Sequence, residues 1–333
     1  MESLLFDLDG RKDLVEKIKD RCFISRLVID ISNANTQVFS DGEVCVNFDV
    51  SMRGKRVYLL SSPNTSDKIM QLNMAIDACK RAAAKEIIPI IPYFPYARQD
   101  KKDQARGSIG AKVIAEMIEN RGATSLITLD LHADQIQGFF NIPVLHMEGK
   151  YIFDEYIMNF SKDKKNNDVV LCAPDAGAAK RVKGFRDRLR DKYDLDLPIV
   201  MIDKTRKIAN EVDEMVVIGE VKDKHVIIID DMCDTGGTLC KASDELIELG
   251  ALSVEAIVTH GIFSGPAYER FGSCKINRVV CSDSLPLRKG NHFNDMDAIG
   301  YSKIDIISAE RQIMNAIIAI NENISVEDLK KKR

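Results

Sequence analysis

Apolar residues follow two alternating rhythms along most of the chain. Short unbroken runs rich in β-branched side chains alternate with stretches whose apolar positions fall three and four residues apart. The unbroken runs read as buried strands and the spaced ones as amphipathic helices. In the first half, Arg56–Ser62, Glu86–Tyr93 and Ser125–Asp130 read as strands, with helices over Asp67–Ala84 and Ile109–Asn120 between them. The second half repeats the alternation. Strands are expected at Asp168–Pro174, Pro198–Asp203, Val226–Asp230, Val254–His260 and Ile276–Ser282, and helices at Ala178–Leu189 and Thr238–Leu249, with a last one near Ala309–Asn321. Continuous apolar strands joined by helices indicate parallel sheets covered on both faces. The expected fold class is α/β, with two similar domains, each a mostly parallel sheet flanked by helices. Their limits fall at 1–150 and 151–310, and a C-terminal helix and tail over 311–333 can pack back on the first domain.

Composition narrows the function classes. A length of 333 residues suits two domains. The 47 basic and 51 acidic residues leave a net charge of −4, which argues against a broadly basic nucleic-acid binder. No apolar run approaches the roughly 18 residues of a membrane helix, and the first residues are charged where a signal peptide would be apolar. The eight cysteines contain no C-x-x-C pair. Reduced, mostly structural thiols in a cytoplasmic protein are expected, with neither membrane nor nucleic acid as a partner.

The most informative segment is Val226–Thr238, VIIIDDMCDTGGT. A buried strand ends in two carboxylates, and a glycine pair then opens a helix. Ligands of open α/β sheets bind at this end of the strands. Gly236 and Gly237 allow the backbone close to an anion, Thr235 and Thr238 add hydroxyls, and the helix start adds oriented N–H groups. Asp230 and Asp231 suit the vicinal hydroxyls of a sugar, or a divalent cation bridging to one. The loop therefore wants a sugar phosphate. A plain strand-to-helix turn capped by Asp234 accounts for that residue and one glycine, but not for two acids at the mouth of a buried strand.

Three other segments carry candidate chemistry. Tyr93–Asp103, YFPYARQDKKD, offers Arg98, Lys101 and Lys102 to a polyphosphate; the alternative is a solvated charge run. Asp130–Phe140 puts His132 just past a strand, as a ligand for a divalent cation or phosphate, or as a structural residue. Lys204 and Arg206 are two apart and share a side of an extended segment. They could close over a transferring phosphoryl group or form a surface charge cluster.

The Asp230 loop resembles the ribose-5-phosphate loop of phosphoribosyltransferases and phosphoribosyl-pyrophosphate (PRPP) synthetases. With the other segments, in the same order and at similar spacing, the chain resembles class I ribose-phosphate diphosphokinases from about Phe39 to Asp213 and on through His260–Pro266. The resemblance implies a type I phosphoribosyltransferase-like fold and transfer of the diphosphoryl group of ATP to the anomeric hydroxyl of ribose 5-phosphate, with Mg²⁺ required. It implies that Phe39, Asp41 and Glu43 reach a neighbouring subunit's adenine, and that Arg98 and Gln99, with Asp103 close behind, bind ATP. His132 and Asp175 match the Mg²⁺–ATP ligands, Lys204 the catalytic lysine and Arg206 its partner. Asp230 and Asp231 match the ribose-hydroxyl acids, and Asp234, Thr235, Gly236, Gly237 and Thr238 the 5-phosphate cradle. Ser51, Arg53 and Arg106 match parts of an allosteric phosphate/ADP site. A shared adenine pocket implies a homodimer at least, and by resemblance a hexamer. Asn141 and Leu145 replace two acids of the family pattern, Ala178 replaces a glycine, and the tail from Ser325 lacks the usual aromatic residues. The competing readings are a non-catalytic synthetase-associated subunit and a phosphoribosyltransferase.

Overall fold

The computed structural model describes residues 1–25, 27–164, 168–205, 214–288 and 295–331. The chain forms two compact units, Met1–Glu148 with Ser308–Arg333, and Gly149–Ile307. The first begins with β1 (Ser3–Asp7), α1 (Lys12–Ser25) and β2 (Asp30–Asn33), then a hairpin of β3 (Asn35–Val38) and β4 (Val44–Asn47). It continues through β5 (Arg56–Leu60), α2 (Ser66–Arg81), β6 (Glu86–Ile91), α3 (Gly110–Arg121), β7 (Leu126–Leu129) and β8 (Val144–Met147). Six strands form one parallel sheet in the order β2-β1-β5-β6-β7-β8. Every side chain of β1 and β5 is buried, as a sheet covered on both faces requires. The parallel sense sends the connections after neighbouring β6 and β7 out at the same edge. Those connections carry Arg98 and His132.

The second unit contains α4 (Lys150–Asp163), β9 (Val169–Ala173), α5 (Ala179–Tyr193), β10 (Ile199–Thr205) and β11 (Glu214–Ile218). Next come β12 (His225–Cys233), α6 (Gly237–Glu248), β13 (Ser253–Gly261), α7 (Ala267–Ser273), β14 (Arg278–Ser282), α8 (Asp295–Ser302) and β15 (Ile304–Ile307). The sheet order is β11-β10-β9-β12-β13-β14-β15, parallel throughout except for β11 against β10. The central strand β12 runs three residues beyond the expected end at Asp230, because β13 extends as far and pairs with it at Met232↔His260 and Cys233↔Gly261. The two acids thus stand on the strand itself and not in a loop.

The chain then returns to the first unit as α9 (Glu310–Glu322) and α10 (Val326–Lys331). Buried Ile313, Met314, Ile317 and Ile318 hold α9 in place, at about 1.5–3 kcal/mol for each such side chain fully buried. Polar contacts fix its register. Arg21 of α1 donates from Nε and Nη2 to Glu310 Oε1 at 3.1 and 3.0 Å. At the other end, Asn321 Oδ1 accepts from Ser3 Oγ at 2.7 Å and from Arg56 Nη1 at 2.9 Å, and its Nδ2 donates to Tyr58 at 3.1 Å.

Candidate active site

In the second unit β12 delivers Asp230 and Asp231 at the ligand-binding edge of the sheet. Asp231 is 3% exposed. Its N–H donates to Asp230 Oδ1 at 2.9 Å, and Arg181, in the first turn of α5, places Nη1 3.6 Å from Asp231 Oδ1 and 3.9 Å from Asp230 Oδ1. Burial, and then the adjacent Asp231 charge, push the Asp230 carboxyl up to about 8, with Arg181 opposing the rise. One cation thus serves two crowded acids.

The turn that follows is shaped for an anion. Gly236 takes φ +75°, open to glycine at little cost, and a β-carbon there would stand 3.0 Å from the Phe271 ring. Gly236 is also the N-cap of α6, and no side chain caps that helix. Its first-turn N–H groups, with the exposed Thr235 and Thr238 beside them, therefore face the space where a phosphate would sit. Asp234 does not cap α6. Its carboxylate accepts from Ser264 Oγ, and its carbonyl accepts from Ser264 N at 2.9 Å. Arg270 of α7 donates to the Thr235 carbonyl at 2.8 Å. The loop is braced from behind by the segments after β13, leaving its front to a ligand.

Asp175 stands two residues past the end of the neighbouring strand β9. Its carboxylate accepts from Ala178 N at 3.1 Å, which orients it at the start of a short 3₁₀ turn, and Ala178 itself is buried. The backbone of Lys204 lies in β10, paired with Met215. Arg206 lies outside the described residues.

In the first unit the loop after β6 borders a pocket of about 490 Å³ lined by Pro63, Thr65, Tyr93, Tyr96, Arg98 and Gln99, among others. Arg98, Gln99, Lys101, Lys102 and Asp103 are exposed. Gln99 packs so closely on the start of α3 that a β-carbon at Gly110 would lie 2.6 Å from its Oε1. Gln135 Nε2 donates to Asp100 at 3.3 Å, tying the loop after β7 to the loop after β6. The turn that exposes His132 is set by Asp130, at φ +36°, whose N–H donates to Met147 O at 2.7 Å. Half-buried His146 accepts from Leu131 N at 2.9 Å and so supports the same turn.

Phe39, Asp41 and Glu43 form the tip of the β3–β4 hairpin. Phe39 N donates to Glu43 O at 2.8 Å, Glu43 N donates to Asp41 Oδ1 at 3.0 Å, and the Phe39 ring is half exposed. None of the three lines the Arg98 pocket of its own chain. Ser51 and Arg53 stand exposed on the turn entering β5, whereas Arg106 stands on the connection between β6 and α3. The three thus fall on two connections of the sheet.

Among the described residues no three His, Cys, Asp or Glu side chains cluster for a metal. Mg²⁺ keeps several waters and takes much of its shell from substrate phosphates, so a site for it needs few protein ligands. Arg181, Ser264, Arg270 and His146 were not assigned from the sequence. Each acts through a fold contact, and only the position of Arg181 in the segment PDAGAAKR (174–181) offered a signal.

A mostly parallel sheet whose central strand carries paired acids near its end, just before a Thr-Gly-Gly-Thr turn, defines a phosphoribosyl-binding domain. Residues 143–279 match the model of the phosphoribosyl transferase domain, and residues 3–122 that of the N-terminal domain of ribose phosphate pyrophosphokinase. The chain is 33% identical to phosphoribosylpyrophosphate synthetase from Mycobacterium smegmatis, over 97% of this chain and 100% of that one, with a TM-score of 0.84. It belongs to the phosphoribosylpyrophosphate synthetase family. Shorter similarities reach a purine phosphoribosyltransferase from Pyrococcus horikoshii, at 23% identity, 35% of this chain and 75% of that one, and a TM-score of 0.27. The hypoxanthine phosphoribosyltransferase of Trypanosoma cruzi is 18% identical, over 34% and 63% of the two chains, with a TM-score of 0.28.

Proposed function

We propose that this protein is a ribose-phosphate diphosphokinase: it transfers the diphosphoryl group of Mg-ATP to the anomeric hydroxyl of ribose 5-phosphate, giving PRPP and AMP. The observation that carries the reading is one chain holding both the pyrophosphokinase N-terminal domain and the Asp230–Thr238 loop. A phosphoribosyltransferase needs only the second.

The ribose 5-phosphate end is the better defined. The α6 N-terminus and the Thr235 and Thr238 hydroxyls hold the 5-phosphate, and Asp230 and Asp231 accept hydrogen bonds from the ribose hydroxyls. Arg98 and Gln99, with Asp103 behind them, bind ATP along the 490 Å³ pocket. The hairpin tip of Phe39, Asp41 and Glu43 is exposed and absent from that pocket, which supports its use at a neighbour's adenine. The working enzyme is then a homodimer at least, and by family resemblance a hexamer built from dimers.

Transfer of this kind asks for in-line positioning and neutralisation of developing charge. Lys204 and Arg206 supply positive charge to the bridging oxygen and the moving group. His132 and Asp175 would hold Mg²⁺, which when bound draws charge from the phosphate oxygens. Ser51, Arg53 and Arg106 are assigned to a regulatory phosphate or ADP site between subunits. Eight unpaired thiols suit a reducing cytoplasm, and no helix among the described residues is long and apolar enough to cross a membrane.

The test is AMP formation from Mg-ATP with and without ribose 5-phosphate. The reading expects AMP and PRPP in equal amounts only when both substrates are present. PRPP consumption with a free base, without AMP formation from ATP, would point to a transferase; neither activity would point to a regulatory subunit.

A further inference from the structure

Two cysteines meet directly behind the anion turn. Cys240 is in the first turn of α6, three residues after Gly237, and Cys274 follows the last residue of α7. Both line one surface pocket, where each thiol's titration is set first by the other, and Cys274 Sγ donates to the Phe271 carbonyl at 3.9 Å. That pocket, of about 250 Å³, is also lined by Gly237, Asp244 and Arg270. Cys240 is buried and Cys274 half-buried. Of the other cysteines, Cys22 and Cys79 contact methionine sulfur, Cys45 accepts from Asn47 Nδ2 at 3.3 Å, and Cys172, Cys233 and Cys281 are buried in the second unit's sheet.

The environment favours Cys274 as the attacking sulfur. The neighbouring Cys240 thiol, the Ile276 N–H and the Lys303 charge hold its thiol down to about 7, against burial and Asp244. The Lys303 ammonium is fixed there, donating to the Cys274 carbonyl at 3.1 Å and the Phe271 carbonyl at 2.7 Å. A thiol titrating near ambient pH combines thiolate population with nucleophilicity. Cys240 moves the other way, raised first by the neighbouring Cys274 and then by burial, so it remains a thiol until its partner has reacted.

We propose that Cys240 and Cys274 form a reversible disulfide, with a low-molecular-weight disulfide of the glutathione type as oxidant, and that this bond weakens ribose 5-phosphate binding at the turn. The Cys274 thiolate attacks one sulfur of the oxidant, forms a mixed disulfide and expels one thiolate. Cys240 gives up its proton to solvent and attacks the Cys274 sulfur, expelling the second thiolate. In balance, two protein thiols and one small disulfide become one protein disulfide and two small thiols.

The effect on binding rests on the function proposed above and follows from the contacts of α7. An S–S bond is about 2.0 Å long, shorter than any contact between two thiols. Forming it draws the end of α7 toward the first turn of α6. Arg270 and Phe271 lie on that end, the first bonded to the Thr235 carbonyl and the second packed against Gly236, so the phosphate turn moves with them.

The experiment incubates the full-length protein with oxidised glutathione or with dithiothreitol. It maps non-reduced peptides by mass spectrometry and measures the KM for ribose 5-phosphate on the same samples. The expected result is a peptide pair joined through Cys240 and Cys274, with KM raised several-fold and restored by dithiothreitol. Cys274→Ser should yield no such pair and keep its KM in oxidant. Complete oxidation without that cross-link overturns the proposal. So does an unchanged KM in the cross-linked enzyme, or a rise of equal size in Cys274→Ser. If the reduced protein shows no ribose 5-phosphate-dependent activity, the proposed function fails, while the peptide map still decides whether the disulfide forms.

Discussion

Arg181 Nη1 lies 3.6 Å from Asp231 Oδ1 and 3.9 Å from Asp230 Oδ1, so one guanidinium offsets the charge of both acids at the end of β12. Burial still leaves the Asp230 carboxyl titrating near 8, from an ordinary 3.8. Only the ionised form is acceptor-only toward sugar hydroxyls. Ribose 5-phosphate affinity of the metal-free enzyme should therefore rise with pH through about 8 and level off only about one pH unit above that. Removing the cation raises the carboxyl further, so Arg181→Gln should move that rise to higher pH. Calorimetric titration of ribose 5-phosphate across this range reads both effects, and a flat profile contradicts them.

The same shift sets a sign for stability. The folded chain binds a proton at Asp230 more tightly than the unfolded chain does. That group's contribution to stability is therefore lost as pH climbs from about 4 to about 8. Asp230→Asn removes the titration. Its denaturation midpoint relative to the parent should improve as pH rises through that window.

Gly236→Ala tests the anion turn. The residue must hold φ +75° and a new methyl must find room 3.0 Å from Phe271. The strain is about 1–3 kcal/mol. Steady-state kinetics should show a raised KM for ribose 5-phosphate with a smaller change in KM for ATP.

Much of this site was legible because its signals are local. Four apolar residues, two acids and two glycines in one short run place Asp230–Thr238 without any tertiary information. What supports that run was not legible. Arg270 reaches Thr235 across 35 residues and Ser264 reaches Asp234 across 30, and neither helix nor loop announces its partner in periodicity. Short elements suffered likewise. β1 has five residues, too few to show a period, and β11 owes its antiparallel place to the edge left open by β10. The strand β12 outlasts its apolar run because β13 supplies hydrogen-bond partners beyond it, which no single segment reveals.

Lys204→Ala should lower kcat by about 10²–10³ and leave the KM values within a few-fold, the pattern expected of a charge used in the transition state. Initial-rate kinetics decide it. A variant with near-normal turnover removes the assignment.

Asn321→Ala separates fold from function. It strips one side chain from Ser3, Arg56 and Tyr58 together. Unfolding free energy should fall by about 1–3 kcal/mol in chemical denaturation. Turnover of the folded enzyme should be unchanged.

The central claim is tested most directly by following a label at the β-phosphorus of ATP. A diphosphokinase moves that atom onto ribose 5-phosphate, so the label must appear in PRPP while AMP carries none. Label retained in ADP would mean transfer of the terminal phosphoryl group alone, and label left wholly in ATP would mean no transfer; either result contradicts the account.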